Sequence, residues 1–209
     1  MNIVFDWDGT LAKAKIAEKA SIRRSKTLGE TFDSGWLKAA MKDDSHFAAN
    51  KKLIKKYTGI TDKGLQTEIM TNLFQYHYLG VAHEMKEESL FPNILKLLKD
   101  LKKDNELFIA TTLRTDIVLP VLKNLDLEKY FTEVIGNDAR LKTSKKDMLK
   151  QLQKKHGQIH YMIGDKPSDV DAGLNIDAKG VLVTWGTHEA YNKASSTVKT
   201  VKELRKLLS

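Results

Sequence analysis

At 209 residues the chain is long enough for one well-filled core and a smaller module beside it. With 41% hydrophobic and 30% charged residues, no apolar run near the roughly 20 residues of a membrane span and a start that enters a strand directly, it reads as a cytoplasmic protein with no membrane partner. A net charge of +8 favours anionic partners, and the absence of cysteine excludes disulfides, thiolate metal sites and cysteine nucleophiles, leaving oxygen or imidazole to hold any metal.

The first element is Ile3-Val4-Phe5, a short run of branched and aromatic residues suited to a strand covered on both faces. Asp6 and Asp8 follow directly, on either side of Trp7 and before Gly9-Thr10. Two carboxylates beside a core are costly unless a cation or hydrogen bonds compensate them, so the pair calls for a function. From residue 13 to 87 no core strand is evident. The amphipathic segments "AKIAEKASIRRSKTL", "GWLKAAMKDD", "NKKLIKKY" and "TDKGLQTEIMTNLFQYHYLGVA" predict a helical second domain inserted after the first strand.

Beyond the insert, Pro92 predicts the opening of a helix over "PNILKLLKDLKKD", and "ELFIATT" predicts a second strand ending in Thr111-Thr112. Pro120 predicts a kink or restart within "TDIVLPVLKNL". A third strand follows in "FTEVIG", and Ser144 with Asp147 marks a capped helix start ahead of a stop at Gly157. "IHYMIGD" and "KGVLVTW" complete the set of strands. Strands alternating with helices predict an α/β fold with a doubly wound parallel sheet. The basic runs "KKLIKKY", "LKDLKKD" and "LKQLQKKHG" have helical spacing and read first as solvated faces. A basic nucleic-acid-binding module is the alternative from another class, although no zinc-finger, RNP-like or basic-zipper pattern supports it.

In an open parallel sheet, ligands bind outside the carboxyl ends of the strands at a switch point. That geometry brings Asp6, Asp165 and Asp169 toward Thr111. Converging carboxylates repel, and with no thiolate available the natural compensation is a hard divalent cation such as Mg²⁺, which also pairs with phosphate.

"DWDGT", Thr111, a lysine in "TSKKDML" and "GDKPSD" together resemble, in order, the four motifs of the haloacid dehalogenase-like superfamily. "LFPNILKLLKDLKKDNELFIATT" looks like the stretch leading into the second motif, and "VLVTWG" is similar to the ending of phosphoglycolate-phosphatase-like members. The resemblance covers residues 1–12 and 88–209; residues 13–87 match only by position, as a cap inserted after the first motif.

The resemblance implies a Rossmann-like core with a small all-helical cap domain that closes over the site, and a Mg²⁺-dependent phosphatase acting on a small phosphomonoester, phosphoglycolate-like or another small anionic phosphate. By resemblance Asp6 is the nucleophile that becomes an aspartyl-phosphate, Asp8 the acid and base, Thr111 a donor to the phosphoryl group, and a lysine the counter-charge to Asp6. Lys142, Lys145 and Lys146 are candidates for that lysine; the start of the "SKKDML" helix favours Lys145. Asp6, the backbone carbonyl of Asp8, Asp165 and Asp169 are the implied Mg²⁺ ligands. Gly9 and Thr10 would offer backbone amides to phosphoryl oxygens, with Thr112 beside Thr111.

Asp8 favours ester hydrolysis over dehalogenation, which needs no leaving-group acid at that place. Within the superfamily, a sugar phosphomutase using the same Asp pair is the runner-up. Lys13-Ala14 departs from the Asp-Ser that relatives often carry, and reads either as a hinge or as a preference for a more anionic substrate. Arg23 and Arg24, with Lys26 nearby, could meet a second anionic group of the substrate or form a solvated helix face. His77 and His83 have no partner at metal-ligand spacing and stay unassigned.

Overall fold

The computed structural model describes residues 1–28, 45–137, 143–186 and 190–209, with residues 45–50 described by backbone only. Among the described residues six strands, β1 (Asn2–Phe5), β2 (Glu106–Thr111), β3 (Glu133–Gly136), β4 (Tyr161–Gly164), β5 (Lys179–Val183) and β6 (Ser196–Val198), form one sheet. Every pairing is parallel and the order is β3-β2-β1-β4-β5-β6. The described helices are α1 (Lys15–Thr27), α2 (Ser45–Thr58), α3 (Lys63–Ala82), α4 (Ile94–Leu101), α5 (Thr115–Asn124), α6 (Lys145–His156), α7 (Pro167–Leu174) and α8 (Val201–Leu208).

The chain divides into two compact units, one of Met1–Ala14 with Met85–Ser209 and one of Lys15–Glu84. The first holds the sheet. From β1 the chain steps to β2 and β3 on one side, then returns across the sheet to place β4 on the other side of β1. Right-handed crossovers therefore put α6 and α7 on the opposite face from α4 and α5. Alternation along each strand supplies both faces. Val4, Phe108, Ala110 and Met162 pack under Met148, Leu149 and Leu152 of α6 and Ala172 of α7. Ile3, Phe5, Leu107 and Ile109 carry the opposite parity and are equally buried, while α4 and α8 pack against each other.

Three expectations need correction. The helix read as opening at Pro92 begins at Ile94, because Asn93 stands in the left-handed region at φ 68° and no helical turn can run through it. Pro120 lies inside an unbroken α5: the ring removes one amide, whose partner would lie in the first turn, and the helix continues. β6 was not anticipated; it is three residues at the sheet edge, too short to carry an alternation signal. "GWLKAAMKDD" lies outside the described residues.

In the helical unit α3 opens on Asp62, whose carboxylate accepts from Leu65 N at 2.7 Å, and packs along α1. Ile16, Ala17, Ala20, Met70, Tyr78 and Val81 are buried there, together with the polar Ser21, Arg24, Gln66 and Gln75. Phe74 and Tyr78 lie with ring centroids 5.8 Å apart, whereas Tyr76 is exposed, so the aromatic cluster is in part core and in part surface. In the sheet-bearing unit, the chain just before and just after the helical segment is paired. Lys13 N donates to Ser89 O at 2.8 Å and Phe91 N to Leu11 O at 3.1 Å.

Candidate active site

The parallel ladder runs one residue past β1: Asp6 N donates to Ile163 O of β4 at 2.8 Å. Asp6 thus keeps the parity of Val4 and faces the side of the sheet that α6 and α7 cover. β4 ends in Gly164 and leads straight into Asp165, and because β1 and β4 are neighbours whose crossovers leave in opposite directions, this is the switch point of the sheet. Ligand oxygens of Asp6, Asp165 and Asp169, all three buried, lie within 4.8 Å of one another.

Local capping places the remaining groups. Ser144 Oγ accepts from Asp147 N at 3.2 Å and the Asp147 carboxylate accepts from Ser144 N at 3.3 Å, which makes Lys145 the first residue of α6. Lys145 Nζ donates to Asp6 Oδ1 at 2.7 Å and to Asp169 Oδ1. Asp169 turns its other oxygen to Lys166 N at 3.1 Å, closing the first turn of α7. Lys146 reaches Asn175 Oδ1 at 3.3 Å instead, and Lys142 lies outside the described residues. Thr111 is buried at the end of β2; its Oγ1 accepts from Leu113 N at 3.2 Å, which leaves the hydroxyl hydrogen available to an acceptor. Asp8 is half-buried where the chain bends to bridge with Ala12, and Thr112 is exposed.

Three glycines let these groups approach. Gly9 has φ +83°, and a Cβ there would overlap the Asp165 carboxylate; a Cβ on Gly164 would overlap the Asp169 side chain. At Gly186 a Cβ would lie 2.6 Å from Asp165 Oδ2. Sequence reading picked out Gly9 but missed Gly164 and Gly186, although a glycine directly before a strand-end Asp is itself a sign of close approach. One expectation fails at the level of hydrogen bonds. Gly9 N donates to Ala12 O at 2.8 Å and Thr10 N to Trp7 O at 3.3 Å, so closing the turn occupies both amides that were assigned to phosphoryl oxygens.

Outside this cluster, Lys13 Nζ donates to the Glu88 carbonyl at 2.8 Å, which commits it to the paired connector. Arg23 is held by Glu84 at 3.2 Å and the Gly80 carbonyl at 3.3 Å. Arg24 is buried with Nε and Nη2 making no hydrogen bond, and burial lowers its guanidinium to about 10, still charged at neutral pH. His77 Nε2 lies 2.8 Å from Thr27 Oγ1.

The electrostatics are those of an under-compensated acidic cluster. Burial raises Asp6, Lys145 opposes that rise, Asp169 adds to it, and the net direction is upward. Burial with Asp6 and Asp169 pushes the Asp165 carboxyl up to about 7. Lys145 is held above its ordinary value because Asp169 and Asp6 outweigh its own burial. The Lys145 ammonium bonds two of the three clustered carboxylates, and an all-oxygen donor set of this kind fits Mg²⁺.

A consequence for stability follows from the sign of the Asp165 shift. A carboxyl whose folded value lies above its ordinary 3.8 favours folding when protonated, and that contribution is lost as pH rises through about 7. Chelator-treated protein should therefore be more stable at pH 6 than at pH 8 by on the order of 1 kcal/mol from this group, or about 3 °C in Tm. Mg²⁺ at pH 8 should offset the difference. Calorimetry at both pH values, with chelator and with Mg²⁺, checks this; equal stability with chelator at the two pH values contradicts it.

The family model for haloacid dehalogenase-like hydrolases matches residues 3–183. The chain belongs to this family. Among curated haloacid dehalogenase-like relatives, a phosphoglycolate phosphatase of Escherichia coli K12 is 32% identical over 126 residues, covering 58% of this chain and 49% of the relative. The chain thus spans about half the length of the first relatives it matches. A phosphoglycolate phosphatase of Aquifex aeolicus is 25% identical over 195 residues, 88% of this chain and 84% of the relative. The solved structure of a haloacid dehalogenase-like family hydrolase from Streptococcus pneumoniae superposes with a TM-score of 0.78 at 23% identity, covering 100% of this chain and 98% of that one, which shows a shared fold. Among the described residues of this family member, no helix is long and apolar enough to cross a membrane.

Proposed function

We propose that the chain is a Mg²⁺-dependent phosphatase that hydrolyses a small phosphomonoester, phosphoglycolate or another small anionic phosphate, through an aspartyl-phosphate on Asp6. The observation that carries this reading is the buried Asp6–Asp165–Asp169 cluster, joined by Lys145 at the switch point of the sheet. The names of the phosphoglycolate phosphatase relatives support the substrate class.

In this mechanism a carboxylate oxygen of Asp6 attacks phosphorus, forming the acyl phosphate as the ester P–O bond breaks. Asp8 gives its proton to the departing oxygen. It then takes a proton from the water that attacks phosphorus and restores Asp6. Lys145 keeps Asp6 ionised and aimed, a task its 2.7 Å bond supports. Thr111 offers its hydroxyl hydrogen to a phosphoryl oxygen. Asp6, Asp165 and Asp169, with the Asp8 carbonyl, would hold Mg²⁺, which supplies charge neutralisation for the phosphoryl group. Gly9 and Thr10 serve this reading through the shape of the turn, since their amides are already bonded within it. We assign recognition of the remainder of the substrate to Thr112, exposed just after the end of β2.

The test is release of inorganic phosphate from phosphoglycolate, sugar phosphates, nucleotides and pyrophosphate, with Mg²⁺ and with chelator. Release that requires Mg²⁺ is the expected outcome. Phosphate retained on the product, with a bisphosphate needed for turnover, would replace hydrolysis by the mutase reaction. No turnover of any kind across the panel would overturn the proposal.

A further inference from the structure

The loop after β5 lies over the turn that carries the two catalytic aspartates, and nothing in the mechanism above uses it. Trp185 Nε1 donates to the carbonyl oxygen of Thr10 at 3.0 Å, joining residues 175 positions apart in sequence. The next residue, Gly186, lies so close to Gly9 that a Cβ on it would overlap the Gly9 carbonyl, with Asp165 Oδ2 at 2.6 Å. The indole ring also packs on Phe91, centroids 6.2 Å apart, and Phe91 N is bonded to Leu11 O at 3.1 Å. Trp185 therefore touches the Asp6–Ala12 turn twice, directly at Thr10 and through Phe91 at Leu11.

The turn needs such support. Beside the bond from Gly9 N to Ala12 O at 2.8 Å, three of its internal bonds share one acceptor: Thr10 N at 3.3 Å, Leu11 N at 3.0 Å and Ala12 N at 3.0 Å all point to Trp7 O. Three donors on one oxygen, one of them long, hold the turn less firmly than separate bonds would. Gly9 stands in the left-handed region and adds no side chain to restrain it. The Thr10 carbonyl is the point where an outside donor can fix the plane of the Thr10–Leu11 peptide, and with it the direction in which the half-buried Asp8 side chain leaves the backbone. A shift of about 1 Å in a reacting group can cost as much as ~10²-fold in rate.

We propose that Trp185 is a positioning residue for the reaction: its indole N–H clamps the Thr10 carbonyl and so holds Asp8 where the leaving oxygen departs. This rests on the phosphatase reading for its effect on rate, while the clamp itself can be measured without substrate.

The full chain carrying Trp185→Phe keeps an aromatic ring against Phe91 and loses only the donor; Trp185→Ala loses both. In Trp185→Phe, kcat for phosphate release is expected to fall about 10-fold with KM within about twofold, since the bond touches the acid and not the substrate. Hydrogen exchange followed by mass spectrometry should show faster exchange in the peptide spanning residues 5–13. Peptides from β2 and β3 should exchange as in the parent. Unchanged exchange over residues 5–13 in Trp185→Phe overturns the proposal, and so does faster exchange with an unaltered kcat, which would make the bond structural only. A parent protein with no turnover on any phosphomonoester would fail the phosphatase reading and with it the assigned role in rate, while the exchange experiment would still decide whether Trp185 holds the turn.

Discussion

Asp6→Asn should lower phosphate release by more than about 10⁴-fold, to the detection limit, because a carboxamide cannot form the acyl phosphate. The substitution isolates chemistry from folding. Burial disfavours the charged form of Asp6 in the folded protein, so a neutral isostere is not a worse occupant in the absence of metal. The chelated variant should accordingly melt no lower than the chelated parent. Removing one of three clustered carboxylates should instead weaken the stabilisation that Mg²⁺ provides. Asp8→Asn makes the contrast: the nucleophile stays, the acid is lost, and turnover should fall by about 10²- to 10⁴-fold. Phosphate release at the parent rate in Asp6→Asn would refute the mechanism outright.

The strands that build the site were legible because parallel strands covered on both faces are nearly continuous apolar runs. "NIVF" and "YMIG" need no knowledge of their neighbours to be recognised. Their order was not legible. Nothing local in either run says that β1 lies beside β4, yet that adjacency brings Asp6 and Asp165 together. It followed only from the rule that ligands gather at the carboxyl ends where crossovers diverge. The capped start of α6 was equally readable, since Ser144 and Asp147 satisfy each other's backbone donors within four residues.

What escaped sequence reading is tertiary in origin. The free hydrogens of the Gly9 and Thr10 amides could be assigned elsewhere only after Ala12 and Trp7 were seen to accept them. Asn93 displaced the start of α4 through a left-handed backbone that an asparagine adopts as a matter of context. Trp185 stood in the sequence only as part of the ending "VLVTWG", with no sign of a role, because its contact lies at the other end of the chain. Lys13 attracted attention by its charge, and its ammonium proved to serve a backbone carbonyl of the paired connector.

Lys145→Met is the substitution with the largest expected effect on stability. The side chain is largely buried and bonded to two carboxylates, so removing its charge leaves Asp6 and Asp169 facing each other without the ammonium that joins them. Breaking a buried pair by deleting one partner costs about 3–5 kcal/mol, several times what its surface counterparts contribute. The loss should depend on pH in a defined direction. Lys145 opposes the rise that burial imposes on Asp6, so without the ammonium Asp6 favours protonation more strongly when folded and the variant should regain stability on acidification more steeply than the parent. Mg²⁺ should recover part of the stability, and little of the activity, because in the proposed mechanism the ammonium bonded to Asp6 also aims it at phosphorus. Lys146→Met provides the control: its Nζ meets only Asn175 at 3.3 Å, and the change should stay within about 0.5 kcal/mol. Thermal unfolding from pH 5 to 9 and phosphate release for both variants separate the outcomes. Full turnover in Lys145→Met would move the counter-charge of the nucleophile to another lysine. A stability loss that does not vary with pH would mean that methionine fits the site badly, rather than that charge is missing from it.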